Sequence, residues 1–223
     1  MSDSTSSAGP DAVEVVEADD NDRGKIELVA AILLGIAGLL TAYAAYFGGL
    51  AGGDAIKGYS EATISRNEAN GYYADYSQKL AQDTSIFLQY AIAAQAGNDT
   101  SAQFIRDRLF SPELETAYVA WEQLEGENDV PTPLDTPEYV VEDYTNYQTN
   151  FDLSQKQFDD AAAKDDRGDF MDLASIFLAV ALFFAGIAAL FKGRRVSIAL
   201  LCGSAVVIIP GCWAIAKGKG WIS

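Results

Sequence analysis

Three stretches without a charged residue constrain this chain more than any other feature of its sequence. They contain 26, 19 and 21 positions and cover residues 28–53, 173–191 and 196–216. A helix needs about 20 predominantly apolar residues to cross the hydrocarbon core of a bilayer. The sequence therefore predicts an all-α integral membrane protein whose three transmembrane helices cover residues 25–53, 171–191 and 196–216.

The segments around these helices are polar. Residues 1–24 are rich in Ser, Asp and Glu and have little to bury, which predicts a disordered acidic tail. We expect residues 54–170 to form an extracytoplasmic helical domain, either a hairpin or a small bundle between the first and second spans. The remaining pieces are a cytoplasmic loop at residues 192–195 and a short tail at residues 217–223.

Basic residues near the ends of the spans indicate the orientation. Short cytoplasmic loops are enriched in lysine and arginine. With three spans, and counting only the short segments beside them, five bases lie on one side of the membrane and two on the other. The five are Arg23, Lys25, Lys192, Arg194 and Arg195. This predicts a multi-pass plasma-membrane protein with a cytoplasmic N-terminus.

Most of the negative charge lies in the predicted outer domain. The chain carries a net charge of −17, and residues 52–169 hold 23 acidic and eight basic side chains. Aspartate outnumbers glutamate by 20 to 12, which is typical of a halophilic host or of an ordinary acidic surface. The sequence shows no run of basic residues that would bind a phosphate backbone, so nucleic acid is not expected as a partner.

The sequence offers few candidates for catalytic or metal-binding residues. The sequence has no histidine, the usual general base and zinc ligand. The aspartate pairs at 159–160 and 165–166 lack the spacing of a calcium loop. Cys202 and Cys212 would lie about 15 Å apart along a helix, too far for a disulfide. We therefore expect no catalytic residue, metal site or cofactor.

Local signals divide the predicted outer domain into helices. Residues 54–96 contain no proline and predict one long helix, which the sequence AGND at 96–99 should end. Asn98 also begins a glycosylation sequon. A short helix is expected around residues 100–110, followed by a new helix with Ser111 as its cap and Pro112 in its first turn.

The second half of this domain contains prolines and then another helical segment. Three prolines in residues 130–139 exclude an α-helix there and predict a stiff connector. Residues 138–164 can be helical again, with aromatic side chains that would pack against those of the long helix. We expect the polar residues 164–169 to be a link into the second span.

One face of the first span consists of alanine and glycine alone. Its positions step by four and three residues: Ala31, Gly35, Gly38, Ala42, Ala45, Gly49 and Gly52. Small residues allow helices in lipid to approach closely, and a period of 3.5 residues favours a left-handed crossing. Neighbouring positions widen the face: Ala30, Ala37, Thr41, Ala44, Gly48 and Ala51.

Three interpretations of this helix-packing or pore face are open. It packs on the other two spans of the same chain, it is a seam between copies, or it lines a pore. We expect a non-enzymatic, homo-oligomeric or partner-binding membrane component that contacts the lipid bilayer and self-associates through the first span. The alternative is a cation-permeable channel lined by this face, with the acidic domain attracting cations to its mouth.

Several stretches resemble a widespread family of uncharacterised prokaryotic three-span membrane proteins with an extracytoplasmic helical domain. They are TAYAAYFGGLAGGDAIKGYSEATISRNEA, DTPEY and FLAVALFFAGIAALFKGRRVSIALLCG. Tyr46, Gly53 and Asp54 fit the family pattern at the end of the first span. Phe47 stands where glutamine is common and Ala51 where tryptophan is common. The resemblance implies the three-span architecture and no particular activity.

Overall fold

The computed structural model describes residues 10–124, 130–191 and 193–222, and in this part of the chain every regular element is helical. The all-α prediction is confirmed. The described residues form five α-helices and one 3₁₀ turn: α1 (Pro10–Gln95), α2 (Asp99–Leu109), α3 (Pro112–Gln123), the 3₁₀ turn (Pro133–Asp135), α4 (Glu142–Leu190) and α5 (Arg194–Gly218).

Three of these helices have the length and apolar composition needed to cross a membrane. They are α1 from Arg23 onward, α4 and α5. Two of them contain a whole charge-free stretch, and α4 contains all of its stretch but the last residue. The coarse expectation of three membrane-competent helices is confirmed.

The N-terminal segment differs from the expected disordered tail. Helix α1 begins at Pro10, so residues 10–24 are helical, whereas residues 1–9 lie outside the described residues. Proline is well tolerated in the first turn of a helix, and alanine and glutamate after it are good helix formers. The expectation rested on charge and low hydrophobicity, and these properties carry no information about helix propensity or the position of a proline.

The sequence signals that end α1 and begin α3 act as predicted, and the structure adds a cap for α2 that the sequence analysis did not predict. Gly97 adopts a positive φ of 70°, and the N–H groups of Gly97 and Asn98 donate to the carbonyls of Ala94 and Ala93. This is a Schellman motif, in which glycine permits the left-handed backbone. The Asn98 side chain caps α2 by accepting from the Ser101 N–H, and Ser111 caps α3 by accepting from the Leu114 N–H.

The polar residues 164–169 are part of α4 and do not form the expected link. No proline interrupts this stretch, and its one glycine, Gly168, is buried against α1. An added Cβ at Gly168 would lie 3.5 Å from the Gly52 nitrogen. Packing against α1 therefore keeps this charged segment helical.

The chain divides into two compact units. The first, here called the apolar unit, comprises Met1–Lys57 and Asp160–Ser223. Its core lies where α1, α4 and α5 meet: around Ala44, Met171, Ala174, Leu178, Ala214 and Ile215 in one cluster, and around Ala30, Ala188 and Leu201 in another. The Ser204 hydroxyl adds a buried hydrogen bond of 2.8 Å to the Ala181 carbonyl, joining α5 to α4.

The second, here called the middle unit, comprises Gly58–Asp159. Aromatic rings of α1 pack against those of α4, as the sequence predicted. The ring pairs are Tyr59 with Phe158, Tyr73 with Tyr147 and Tyr76 with Tyr144, with centroids 4.9–5.2 Å apart. Such pairs add stabilisation beyond the area that they bury.

Two adjacent glycines of α1 allow a test of the packing in the apolar unit. A Cβ at buried Gly48 would lie 2.9 Å from Asp172 Oδ1 and 3.2 Å from Met171 Cβ, whereas one at exposed Gly49 would have nothing within 4 Å. We expect Gly48→Leu to lower the free energy of unfolding by about 1–3 kcal/mol, because overpacking displaces α4. In the monomeric, detergent-solubilised chain, Gly49→Leu should leave the free energy of unfolding unchanged or slightly raised, because nothing lies near this position within one chain. Denaturant unfolding of the two full-length variants in uncharged detergent, followed by circular dichroism, measures the difference; equal losses would contradict this packing.

Candidate helix-packing face and buried polar network

The alanine and glycine face predicted on the first span is uncovered within one chain. Ala31, Gly35, Ala42, Ala45 and Gly49 are exposed, and Gly38 and Gly52 are partly exposed. An added Cβ at any of its four glycines would meet nothing within 4 Å. The seven positions thus form a strip of α1 along which another helix could approach the backbone.

The neighbouring small residues of α1 have a different role. Ala30, Ala37 and Ala44 are fully buried, and Gly48 is buried as well. Ala44 packs against α4 and α5 in one core cluster, and Ala30 does so in the other. Successive helical residues are rotated by about 100°, so this second strip is a separate face rather than a widening of the first. Packing within one chain uses this neighbouring strip.

Two of the three bases expected to set the orientation lie at the start of α5. Arg194 and Arg195 are the first two residues of this helix and are exposed. Lys192 lies outside the described residues. Both cysteines of α5, Cys202 and Cys212, are free and exposed.

The middle unit contains a buried carboxylate that the sequence analysis did not single out. Asp83 of α1 is only 1% exposed. Its Oδ2 accepts hydrogen bonds from the Ser111 hydroxyl at 2.8 Å and from the Tyr139 hydroxyl at 2.9 Å. Burial, followed by this bond to Asp83, raises the pKa of Tyr139 above its ordinary value. Asp83 therefore joins the start of α3 and the segment before α4 to one point on α1.

A sequence signal for Asp83 does exist. Tyr76, Leu80, Phe87 and Tyr90 follow the four-and-three spacing of one helical face, and Asp83 occupies the position between Leu80 and Phe87. Burying an unpaired charge is costly, so an acid inside an apolar stripe indicates a buried carboxylate with hydrogen-bonding or charged partners.

A second network fixes α2 and α3 against the end of α1. The Arg106 guanidinium donates to both carboxylate oxygens of Glu115, at 2.7–3.2 Å, and lies 4.4 Å from the centre of the Tyr118 ring. The hydroxyls of Tyr90 and Tyr118 are 2.6 Å apart, and Tyr118 donates to Glu122 at 2.7 Å. Burial raises the pKa of Tyr118, and both hydrogen bonds add to the shift.

An ion pair adds a further contact between α1 and α3. Lys79 Nζ lies 2.9 Å from Glu113 Oε2. Burial works against ionisation of this carboxyl, but the bonds from Lys79 and from the backbone outweigh it and lower its pKa below the ordinary value. These hydrogen bonds and ion pairs link α1 to α3 and α2 to α3 within the middle unit.

The described residues contain no group of three or more His, Cys, Asp or Glu side chains placed to hold a metal ion. The hydroxyl and carboxylate groups around Asp83 and Tyr118 are committed to neighbouring helices. The geometry of these two networks fits a structural role.

Comparison with protein-family models, with curated proteins and with solved structures finds no match for this chain.

The Asp83 contacts give a direct prediction for the middle unit. Asp83→Ala should lower the free energy of unfolding by at least about 2 kcal/mol, because two hydroxyl donors lose their acceptor and each unsatisfied buried group costs about 1–3 kcal/mol. Asp75→Ala, an exposed position on the same helix, is the matched control and should have little effect. Thermal unfolding of both variants measures the difference, and similar stabilities would show that Asp83 does not join these helices.

Proposed function

We propose that the chain is a non-enzymatic, homo-oligomeric component of the plasma membrane. In this proposal the three apolar helices cross the bilayer, the N-terminus is cytoplasmic, and residues 54–170 form an extracytoplasmic helical domain between the first and second spans. The length and apolar composition of α1, α4 and α5 support insertion. The bases near Arg23 and at the start of α5 support the orientation.

The uncovered small-residue face of α1 is the observation that carries self-association. Lipid tails are as apolar as side chains, so helices in a bilayer associate through van der Waals packing at close approach. Residues 31–52 extend about 32 Å along a helix, the thickness of a hydrocarbon core. Along this length the face offers Cα atoms and methyl groups with no large side chain of its own in the way.

A second copy of the chain is the occupant that suits this face. The face carries no charged or hydrogen-bonding side chain that would select a different polar partner. In a two-fold arrangement it would pack against itself, and its four-and-three repeat matches the shallow left-handed crossing of two such helices. Large apolar side chains on other sides of α1, such as Leu39 at 76% exposure, are available to contact lipid.

Leucine substitutions on the face test self-association. Gly38→Leu and Ala42→Leu place large side chains where the proposed second helix packs, so we expect the oligomer to dissociate into monomers. Neither substitution should unfold the chain, because both positions are open within one subunit. Ala205→Leu, at an exposed position of α5, is the matched control. Single-molecule photobleaching of the labelled protein in nanodiscs counts the subunits.

Two outcomes would contradict the proposal. Unchanged subunit counts in both face variants would show that the seam lies elsewhere. Intact oligomers with reduced cation flux through proteoliposomes would show that the same face lines a water-filled pore.

A further inference from the structure

A basic pocket lies at one end of the apolar unit. It is open, has a volume of about 310 Å³, and is lined by residues of α1, α4 and α5. This volume is at the lower end of the range of about 300–1,000 Å³ found for small-molecule sites. Three of its lining side chains are cationic, Lys164, Arg167 and Lys219, and Asp54 is its one acid. A basic pocket is unexpected in a chain with a net charge of −17.

Basic and acidic side chains of one α4 segment differ in whether they line this pocket. Residues 164–172 contain two bases and four acids. Lys164, Arg167 and Met171 line the pocket, at spacings of three and four residues that place them on one helical face. The four acids of this stretch are absent from the lining. The pocket therefore has a positive wall although the segment that forms it is acidic overall.

The cations are available to a ligand. In the part of the chain that the structure describes, Lys164, Arg167 and Lys219 form no ion pair with a carboxylate. Lys219 is held in place by aromatic rings, because its Nζ lies 3.3 Å from the centre of the Phe47 ring and 5.3 Å from that of Tyr43. The cation–π contact orients this ammonium without neutralising it.

The pocket lies where the charge-free stretches end. On α1 it includes residues just before and at Asp54, on α4 it ends at Met171, and at the end of α5 it includes Gly218 and the C-cap Lys219. Aromatic side chains that favour a membrane–water interface are exposed nearby in sequence, with Tyr46 at 64% and Trp213 at 51%. If the three helices span a bilayer, the pocket is at the depth of lipid phosphate groups.

We propose that this pocket binds the phosphate group of an anionic phospholipid. Lysine and arginine form strong charge-assisted hydrogen bonds with phosphate oxygens. Basic pockets between transmembrane helices on the cytoplasmic or matrix side bind lipid headgroups, and this pocket offers the same chemistry at the outer end of the proposed spans. Phe47, Leu50 and Met171 supply an apolar part of the lining, and Leu50 is 49% exposed, so the glycerol end of an acyl chain has apolar surface beside the phosphate. A free phosphate ion would use the cations but not this apolar surface.

The proposal rests on the membrane location of the proposed function and not on self-association. The experiment uses the full chain extracted in uncharged detergent, with native mass spectrometry to follow bound phosphatidylglycerol. Lys164→Gln combined with Arg167→Gln should weaken phosphatidylglycerol binding about tenfold or more. Arg108→Gln combined with Lys156→Gln changes the net charge equally at exposed positions outside the pocket, and binding should be unchanged. Asp54→Asn removes the one acid and should strengthen binding.

The remaining measurements separate the sources of phosphate and the two proposals. Phosphatidylglycerol bound more tightly than phosphatidylcholine, and not displaced by millimolar inorganic phosphate, supports a lipid site. Displacement by inorganic phosphate would overturn the lipid source. Equal binding by the pocket and control variants would overturn the site itself. The Gly38→Leu variant should bind phosphatidylglycerol normally even as a monomer, because the lipid site does not depend on self-association. Recovery of the unaltered chain outside the membrane fraction would contradict the membrane location on which the lipid site rests.

Discussion

The close approach of helices through alanine and glycine is the constraint on which the apolar unit depends. Ala30, Ala37, Ala44 and Gly48 of α1 are buried against the other two long helices. A Cβ atom added at Gly48 would lie only 2.9 Å from Asp172 Oδ1. Similar close contacts recur on α5, where a Cβ at Gly211 would lie 3.0 Å from Leu178 and one at Gly218 would lie 3.0 Å from the Arg167 carbonyl. At each of these glycines the missing side chain leaves room for a side chain or carbonyl of a neighbouring helix.

The same constraint has a consequence for assembly, because α1 has two small faces and one chain covers only one of them. The buried face holds the subunit together. The other, from Ala31 to Gly52, offers the same kind of surface to a further helix. In our proposal a second copy packs against this uncovered face, and the basic pocket at Lys164 and Arg167 binds lipid at the end of the bundle. Self-association and lipid binding would then use different residues of one unit.

The features that sequence reasoning predicted are those set by local chemistry. They can be read from contiguous residues: the long charge-free stretches, the glycine at 97 and the cap at Ser111. The structure has three long apolar helices, and α1 ends and α3 begins at these two signals. Which of two alanine and glycine strips becomes buried depends on contacts more than 100 residues away in sequence, so periodicity alone could not separate Ala44 from Ala45. Long-range contacts also explain the errors at residues 164–169 and the oversight of Asp83, whose partners are 28 and 56 residues distant.

The most direct test of the central claim is disulfide cross-linking in native-like membranes. Cys202 and Cys212 are first replaced by serine, and single cysteines are then placed on the uncovered face at Gly35, Gly38, Ala42 and Ala45. A cysteine at fully buried Ala44 is the control. The account predicts oxidative dimers at the face positions, none at Ala44, and no labelling of any of them by a membrane-impermeant thiol reagent. Labelling deep in the span would reveal a water-filled path, and the absence of dimers at every face position would show that α1 does not meet a second copy there.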